Sequence, residues 1–392
     1  MNEKLNFSQD EYVQRLSKTQ RAMSEQGIEL LVVSDPSNMA WLTGYDGWSF
    51  YVHQCVLIPV DAEPIWFGRG HDLTGARRTV YMTDDRLIGY ADSFVQSPHC
   101  HPMEVLAGAI RGQGWDEGTI GVEMDNYYFS AAAYTTLQTQ LPDAHFKNAT
   151  SLVNWQRAVK SEQEIVYMRQ AARIVERIHE RIFDVIEPGM RKNDLVAEIF
   201  ATAIRGTAEF GGDYPAIVPL LPTGVDACSP HLTWDDAPMQ TGFGTFFEVA
   251  GCYKRYHCPL SRTIFLGTPD PRFLNAEAAL IEGIEAALEV ARPGNTCEEV
   301  EGAFARTVAR YGIERNSRAG YPIGLSYPPD WGERTMSFRA GDTSVLQPGM
   351  TFHLMPGLWF DDWGMEITES ILITEKGAEC LCDVPRQLFV KA

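Results

Sequence analysis

"FEVAGCYKRYHCPLSRTIFLG", Phe247 to Gly267, has the outline of a metal-binding hairpin. A buried strand runs into a glycine turn, a tyrosine-rich strand returns, and Ser261-Arg262-Thr263 follows. A hairpin of this kind holds two metal ions with carboxylates from its two strands. This one offers Glu248 and then Pro259, which has no donor atom.

Upstream, "LVNWQRAVKSEQEIVYMRQAARIVERIHERIFDVIEPGM" (152–190) predicts a long amphipathic helix. Ser161 and Glu164 form a capping box, and Ile165, Met168, Ala172, Val175, Ile178 and Ile182 follow at helical spacing. Pro188-Gly189 ends it, and a second helix begins near Asn193. "EPGMRKNDLVAEIF" (187–200) resembles "RPGNTCEEVEGAFA" (292–305), which predicts a domain of two related halves.

The segment before this helix alternates. Ser8 and Glu11 cap a helix reaching about Gln26, and Gly27 stops it. "IELLVVS" (28–34), "HQCVLIPV" (53–60), "EPIWFG" (63–68) and "TIGVEMD" (119–125) read as strands, "DPSN" (35–38) as a turn, and 103–112 and 128–140 as helices. The expected domains are an α/β unit over 1–155 and an α+β unit over 156–392.

Of the 392 residues, 45% are hydrophobic and 22% charged, the composition of a globular chain. A net charge of −19 disfavours nucleic acid as a partner, because phosphates would be repelled. No stretch approaches the roughly 20 apolar residues of a membrane span, and the N-terminus lacks a signal-peptide layout. The eight cysteines include no CxxC pair, so reduced thiols and a cytoplasmic location are expected. "SPHCHP" (97–102) reads as a loop.

Taken from Glu248, the hairpin resembles that of the creatinase/aminopeptidase P/prolidase family, whose catalytic domain is the pita-bread fold. The resemblance puts Glu248 and Pro259 on two aspartate ligand positions. "GYPIGL" (320–325) puts Tyr321 on the histidine ligand, "MTFHLMPG" (350–357) puts Met355 on a glutamate, and "GMEITESILIT" (364–374) puts Thr368 on the last glutamate. One surviving carboxylate cannot hold a two-metal centre, so neither metal nor other cofactor is expected. His231, in "CSPHLTW", matches a family histidine that acts near the substrate. Period-2 alternation places Glu366 on the same strand face as Thr368.

The expected pocket joins His231, Glu248 and Glu366 as catalytic groups with Tyr321, Thr368, Met355 and Trp331 around them. Two carboxylates and aromatic rings suit a planar cation. Arg334 or Arg318 would bind a carboxylate on the same substrate. "DPSNMAWLTGYDGWSFYVHQCVLI" (35–58), "FGRGHDLTGARRTVYM" (67–82) and "GYPIGLSYPPDWGER" (320–334) resemble the metal-free branch of the family that opens the cyclic amidine of ectoine. That resemblance implies a hydrolase, and a homodimer in which Trp48 and Tyr51 of one subunit close the pocket of the other. The alternatives are a creatine amidinohydrolase, an X-Pro dipeptidase and a binding module without activity.

Overall fold

In the computed structural model, which describes residues 5–392, Ser8 caps helix α1 (Gln9–Glu25) by accepting from the Glu11 amide, as the S-x-x-E spacing predicts. The chain divides into two compact units between Arg157 and Ala158.

The first unit is built on a six-stranded sheet. Its strands are β1 (Leu30–Val33), β2 (Cys55–Pro59), β3 (Ile65–Arg69), β4 (Leu87–Tyr90), β5 (Thr119–Val122) and β6 (His145–Asn148), in the order β4-β3-β2-β1-β5-β6. Strand β1 is apolar at every position because both faces are covered. Leu31 and Val33 join a core with residues of α1, α2 (Pro36–Thr43) and α6 (Leu152–Arg157). Leu30 and Val32 join a second core with α4 (Pro102–Gly112) and α5 (Ala131–Gln140). A short α3 (Leu73–Thr79) completes the unit.

One expectation is corrected here. Asp35 to Asn38 is not a free turn but the start of α2: the Asp35 carboxylate accepts from the Ser37 amide, and Pro36 occupies the first helical turn. Asp-Pro serves equally as a turn opener and as a cap followed by N1 proline, so the dipeptide alone does not separate the two.

The second unit begins with α7 (Glu162–Val185), capped by the reciprocal Ser161–Glu164 box, and α8 (Lys192–Arg205). The hairpin of β7 (Gly244–Tyr253) and β8 (Tyr256–Leu266) follows, then α9 (Pro271–Val290) and α10 (Cys297–Ala309). Strands β9 (Gly320–Pro322), β10 (Thr351–Leu354), β13 (Glu369–Thr374) and β14 (Gly377–Cys380) form one antiparallel sheet. Strands β11 (Leu358–Trp359) and β12 (Gly364–Met365) pair with each other, and β15 (Phe389–Lys391) runs parallel to β8.

The two Pro-Gly linkers are built alike. Gly189 (φ 91°) donates to the Met239 carbonyl, and Gly294 (φ 93°) donates to the Leu346 carbonyl. One residue pair on, Arg191 bridges Pro238 and Thr296 bridges Val345. The sequence similarity of 187–200 to 292–305 is thus a similarity of local structure.

The hairpin departs from its sequence reading in one respect. Its turn is Lys254-Arg255, both at positive φ (49° and 67°), and not the glycine. Arg255 holds that strained pair by donating to the Tyr214 and Ser326 carbonyls, with its guanidinium 3.7 Å from the Tyr214 ring centroid. Gly251 lies within β7 for another reason: a Cβ there would sit 2.0 Å from the Ala171 carbonyl oxygen, so glycine lets α7 pack directly on the strand.

Candidate active site

Register places Glu248 opposite Ser261 and Ala250 opposite Pro259, so these four residues share one face of the hairpin. Pro259 lies where β15, which pairs only with Ile264 to Leu266, does not reach. Its missing N–H therefore leaves no gap in a ladder on that side. The Pro259 carbonyl accepts from the Ser370 hydroxyl (2.6 Å).

The other three ligand-position segments meet this face through hydrogen bonds. Tyr321 on β9 stands opposite His353 on β10. The Trp331 indole N–H can only donate, so the Tyr321 oxygen accepts it (2.8 Å) and the Tyr321 proton goes to His353 Nδ1 (3.0 Å). That leaves the His353 proton on Nε2, which donates to Thr368 Oγ1 (2.8 Å). The same oxygen accepts from the Ser261 amide (2.7 Å), and the Thr368 amide donates to the Ser261 carbonyl (3.1 Å). His353 Nδ1 also lies 3.8 Å from Glu248 Oε1.

Burial sets the charge states. His353 is fully buried and pushed down to about 3, first by loss of water and then by Arg318 and Arg262, so it is neutral. Tyr321 is raised well above its usual value, again first by burial and then by Glu248, so it remains a phenol. Glu248 is raised to about 7 by burial and by Asp330. Glu366 is raised well above the carboxylate range by burial and then by Glu248, so the proton of this pair rests on Glu366. Of the two pocket carboxyl groups expected, Glu366 therefore favours the neutral acid, because it is completely buried, no cation hydrogen-bonds to it and the charge of Glu248 lies beside it.

The donor set does not fit the two-metal centre that the fold implies. Pro259 has no donor, Met355 is a soft thioether, and Tyr321 and Thr368 are protonated groups already engaged in the hydrogen-bond chain. Among the described residues no group of three or more His, Cys, Asp or Glu side chains is placed to hold a metal ion.

The remaining predicted residues separate. Trp331 is fully buried in the chain just described. Arg318 is exposed, with its guanidinium 4.4 Å from the Tyr321 ring centroid, so it flanks the pocket. Arg334 is half-buried at positive φ (54°). His231 is exposed and makes no hydrogen bond among the described residues; the nearest backbone link to the site is Leu220, eleven residues upstream, which exchanges both backbone hydrogen bonds with Glu248. Trp48 and Tyr51 are exposed in the first unit, at 58% and 60%.

Sequence reasoning did not select His353, although it stands on β10 two residues before the ligand position Met355, which follows the end of that strand. The strand alternation expected to join Glu366 with Thr368 is corrected as well, since both lie in the link between β12 (Gly364–Met365) and β13 (Glu369–Thr374) and not in a strand. Trp359 was also missed; it approaches Glu366 from β11, and no spacing within "GLWFDDWGME" marks it.

Against known proteins, residues 166–375 match metallopeptidase family M24 and residues 15–159 match the creatinase/prolidase N-terminal domain. The ectoine hydrolase of Halomonas elongata is 59% identical over 394 residues, covering 99% of each chain. Among solved structures, the prolidase of Thermococcus sibiricus superposes with a TM-score of 0.84 at 18% identity, covering 97% of this chain and 99% of that one. The dipeptidase PepE of Mycobacterium ulcerans gives 0.80 at 23% identity, covering 98% and 99%.

Proposed function

Because the chain belongs to metallopeptidase family M24, with a creatinase/prolidase N-terminal domain, and is a hydrolase, we propose that it opens the cyclic amidine of ectoine or 5-hydroxyectoine without a metal. The product is an N-acetylated 2,4-diaminobutyrate. The observation that carries this reading is Glu248: a buried carboxyl group poised near neutrality, beside a neutral His353 locked by its own hydrogen bonds. The 59% identity to an ectoine hydrolase supports the choice of substrate.

A protonated amidine is electrophilic at its central carbon and requires no Lewis acid. Its positive charge also favours the ionised form of Glu248. The Glu248 carboxylate takes a proton from the water that adds to that carbon, or adds to it directly and is released when water hydrolyses the resulting Glu248 adduct. One ring C–N bond then breaks, and His231 supplies the proton to the departing nitrogen. His353 is less suited to that task, because both its nitrogens are already bonded. Arg318 receives the substrate carboxylate above Tyr321. The deciding experiment follows ectoine by NMR in the presence of exhaustively chelator-treated protein. Steady appearance of the acetylated diamine is the expected result; activity that returns only with added Mn²⁺, Zn²⁺ or Co²⁺ would remove the metal-free mechanism.

A base or nucleophile must be unprotonated in the free enzyme. With Glu248 raised to about 7, kcat/KM is expected to climb as pH rises from 6 to 7 and to level off above 8. A profile already flat from pH 5 upward would exclude Glu248 from the chemistry.

The working unit is a homodimer, supported by the exposure of two large aromatic side chains, Trp48 and Tyr51, in one short segment. Analytical ultracentrifugation should give twice the chain mass; a fully active monomer would contradict this. No helix among the described residues is long and apolar enough to cross a membrane, which accords with a cytoplasmic enzyme.

A further inference from the structure

The loop that follows Tyr321 leaves a small space beside the ring. A Cβ added to Gly332 would stand 3.4 Å from Tyr321 Cδ2, 3.4 Å from Asp330 Oδ1 and 3.6 Å from Asp330 Oδ2. These are ordinary van der Waals separations, so a carbon-sized group fits there between the ring and the carboxylate. Gly332 has no positive φ that would call for glycine. Its neighbours differ: a Cβ on Gly320 would meet the His353 carbonyl oxygen at 2.6 Å, and one on Gly324 would meet Glu333 Oε1 at 2.3 Å. Packing requires glycine at those two positions. At 332 neither packing nor backbone does, and the effect of the missing side chain is to keep a space open.

That space is held from both sides. Gly332 bridges Ile323, and the Glu333 amide donates to the Pro322 carbonyl. Trp331 is tied twice, its indole donating to Tyr321 and its carbonyl accepting from the Ser326 hydroxyl. The space is also reachable, because Gly332 and Asp330 are only half-buried. Asp330 Oδ1 accepts from the Gly332 amide (2.9 Å), whereas Oδ2 has no hydrogen bond or ion pair among the described residues.

Charge selects what can sit there. The Asp330 charge reaches both Glu248 and Tyr321. Two carboxyl groups therefore bear on one space that has an aromatic ring for a wall. A carboxylate would be repelled, and a neutral amide would leave their mutual repulsion in place. A planar cation with N–H donors lies against Tyr321, donates to Asp330 Oδ2 and relieves that repulsion. Arg318, 4.4 Å from the centroid of the same ring, supplies the opposite charge for an anionic group on the same ligand.

We propose that Asp330 and the space at Gly332 hold the amidinium of the substrate, so that Asp330 is a binding residue that sets the preference for a cationic ring. This inference rests on the amidine-hydrolase reading. The test measures KM and kcat for ectoine in the wild-type, Asp330→Asn and Gly332→Ala proteins. It is run at pH 8, above the value of about 7 to which Glu248 is raised, so that Glu248 carries its charge in all three. Asp330→Asn keeps an acceptor for the Gly332 amide and loses the charge. Its KM should rise by at least about tenfold, the scale of one charged hydrogen bond, with a smaller change in kcat. Gly332→Ala fills the space with a methyl group that its surroundings accept, so KM should rise while the melting temperature stays unchanged. An Asp330→Asn KM within about twofold of the wild type overturns the proposal. Should that variant not fold, an unchanged KM in Gly332→Ala does so. If the wild type does not hydrolyse ectoine, the amidine reading fails, and acetamidinium chloride, a bare amidinium, decides the site by ligand-observed NMR. Binding that weakens by at least about tenfold in Asp330→Asn sustains the site; binding that is equal in both proteins, or undetectable in the wild type, rejects it.

Discussion

Glu248→Gln is expected to lower kcat on ectoine by at least about 10²-fold, with an unchanged circular dichroism spectrum. The substitution keeps the size of the side chain in a strand position only 5% exposed, so packing has little reason to change. What it removes is the negative charge that must reach the amidinium carbon or the water beside it. His231→Ala should cause a loss of the same order, because an exposed histidine with unbonded nitrogens is the group able to carry a proton out. His353→Phe should behave differently. It deletes the partner of Tyr321 and Thr368 and frees the orientation of Glu248, so it should disturb the pH profile as well as the rate. Near-normal turnover in Glu248→Gln would move the nucleophile elsewhere, with Glu366 next in line, because the substitution removes the Glu248 charge that helps to keep it protonated.

The second large effect is on stability. Lys160 Nζ and Glu333 Oε2 are 2.6 Å apart, and both side chains are only 1% exposed. Lys160 follows immediately on the division between the two units, and its amide donates to the Gly349 carbonyl. Glu333 belongs to the loop that carries Trp331, and its amide donates to the Pro322 carbonyl. Removing one charge strands the other where water does not reach it. Lys160→Met should therefore destabilise the protein by about 3–5 kcal/mol in denaturant unfolding. The double variant Lys160→Met, Glu333→Leu should recover most of that loss, because a well-packed apolar pair replaces a buried ion pair at little net cost. A single variant that loses less than about 1 kcal/mol, the value of an exposed pair, would show that the charges remain solvated.

Much of the fold was legible because its signals are local. Ser8 and Ser161 cap where their spacing puts them, and Gly189 and Gly294 close their helices alike. The short frames around Tyr321 and Thr368 pointed to residues that the structure joins through His353. What escaped was long-range. Nothing near His353 states that Tyr321 will stand opposite it, because that pairing joins β9 to β10 across an intervening loop. The proton on Glu366 was hidden for a similar reason: a carboxyl looks charged until the depth of its burial is known. The hairpin turn was misassigned because glycine is the usual resident of such turns, whereas here tertiary contacts of Arg255 hold two non-glycine residues in that conformation.

The hydrogen-bond chain from Trp331 through Tyr321 and His353 to Thr368 also constrains how the sequence can drift. Each member fixes the direction of the next bond, so a change at one position strands a donor or an acceptor at its neighbour. A tolerated change at any of them must travel with a change at the next. In a divergent lineage these four positions should therefore be inherited as a single block: a sequence that loses the histidine at 353 should also lose the tyrosine at 321, while the surface around them varies freely.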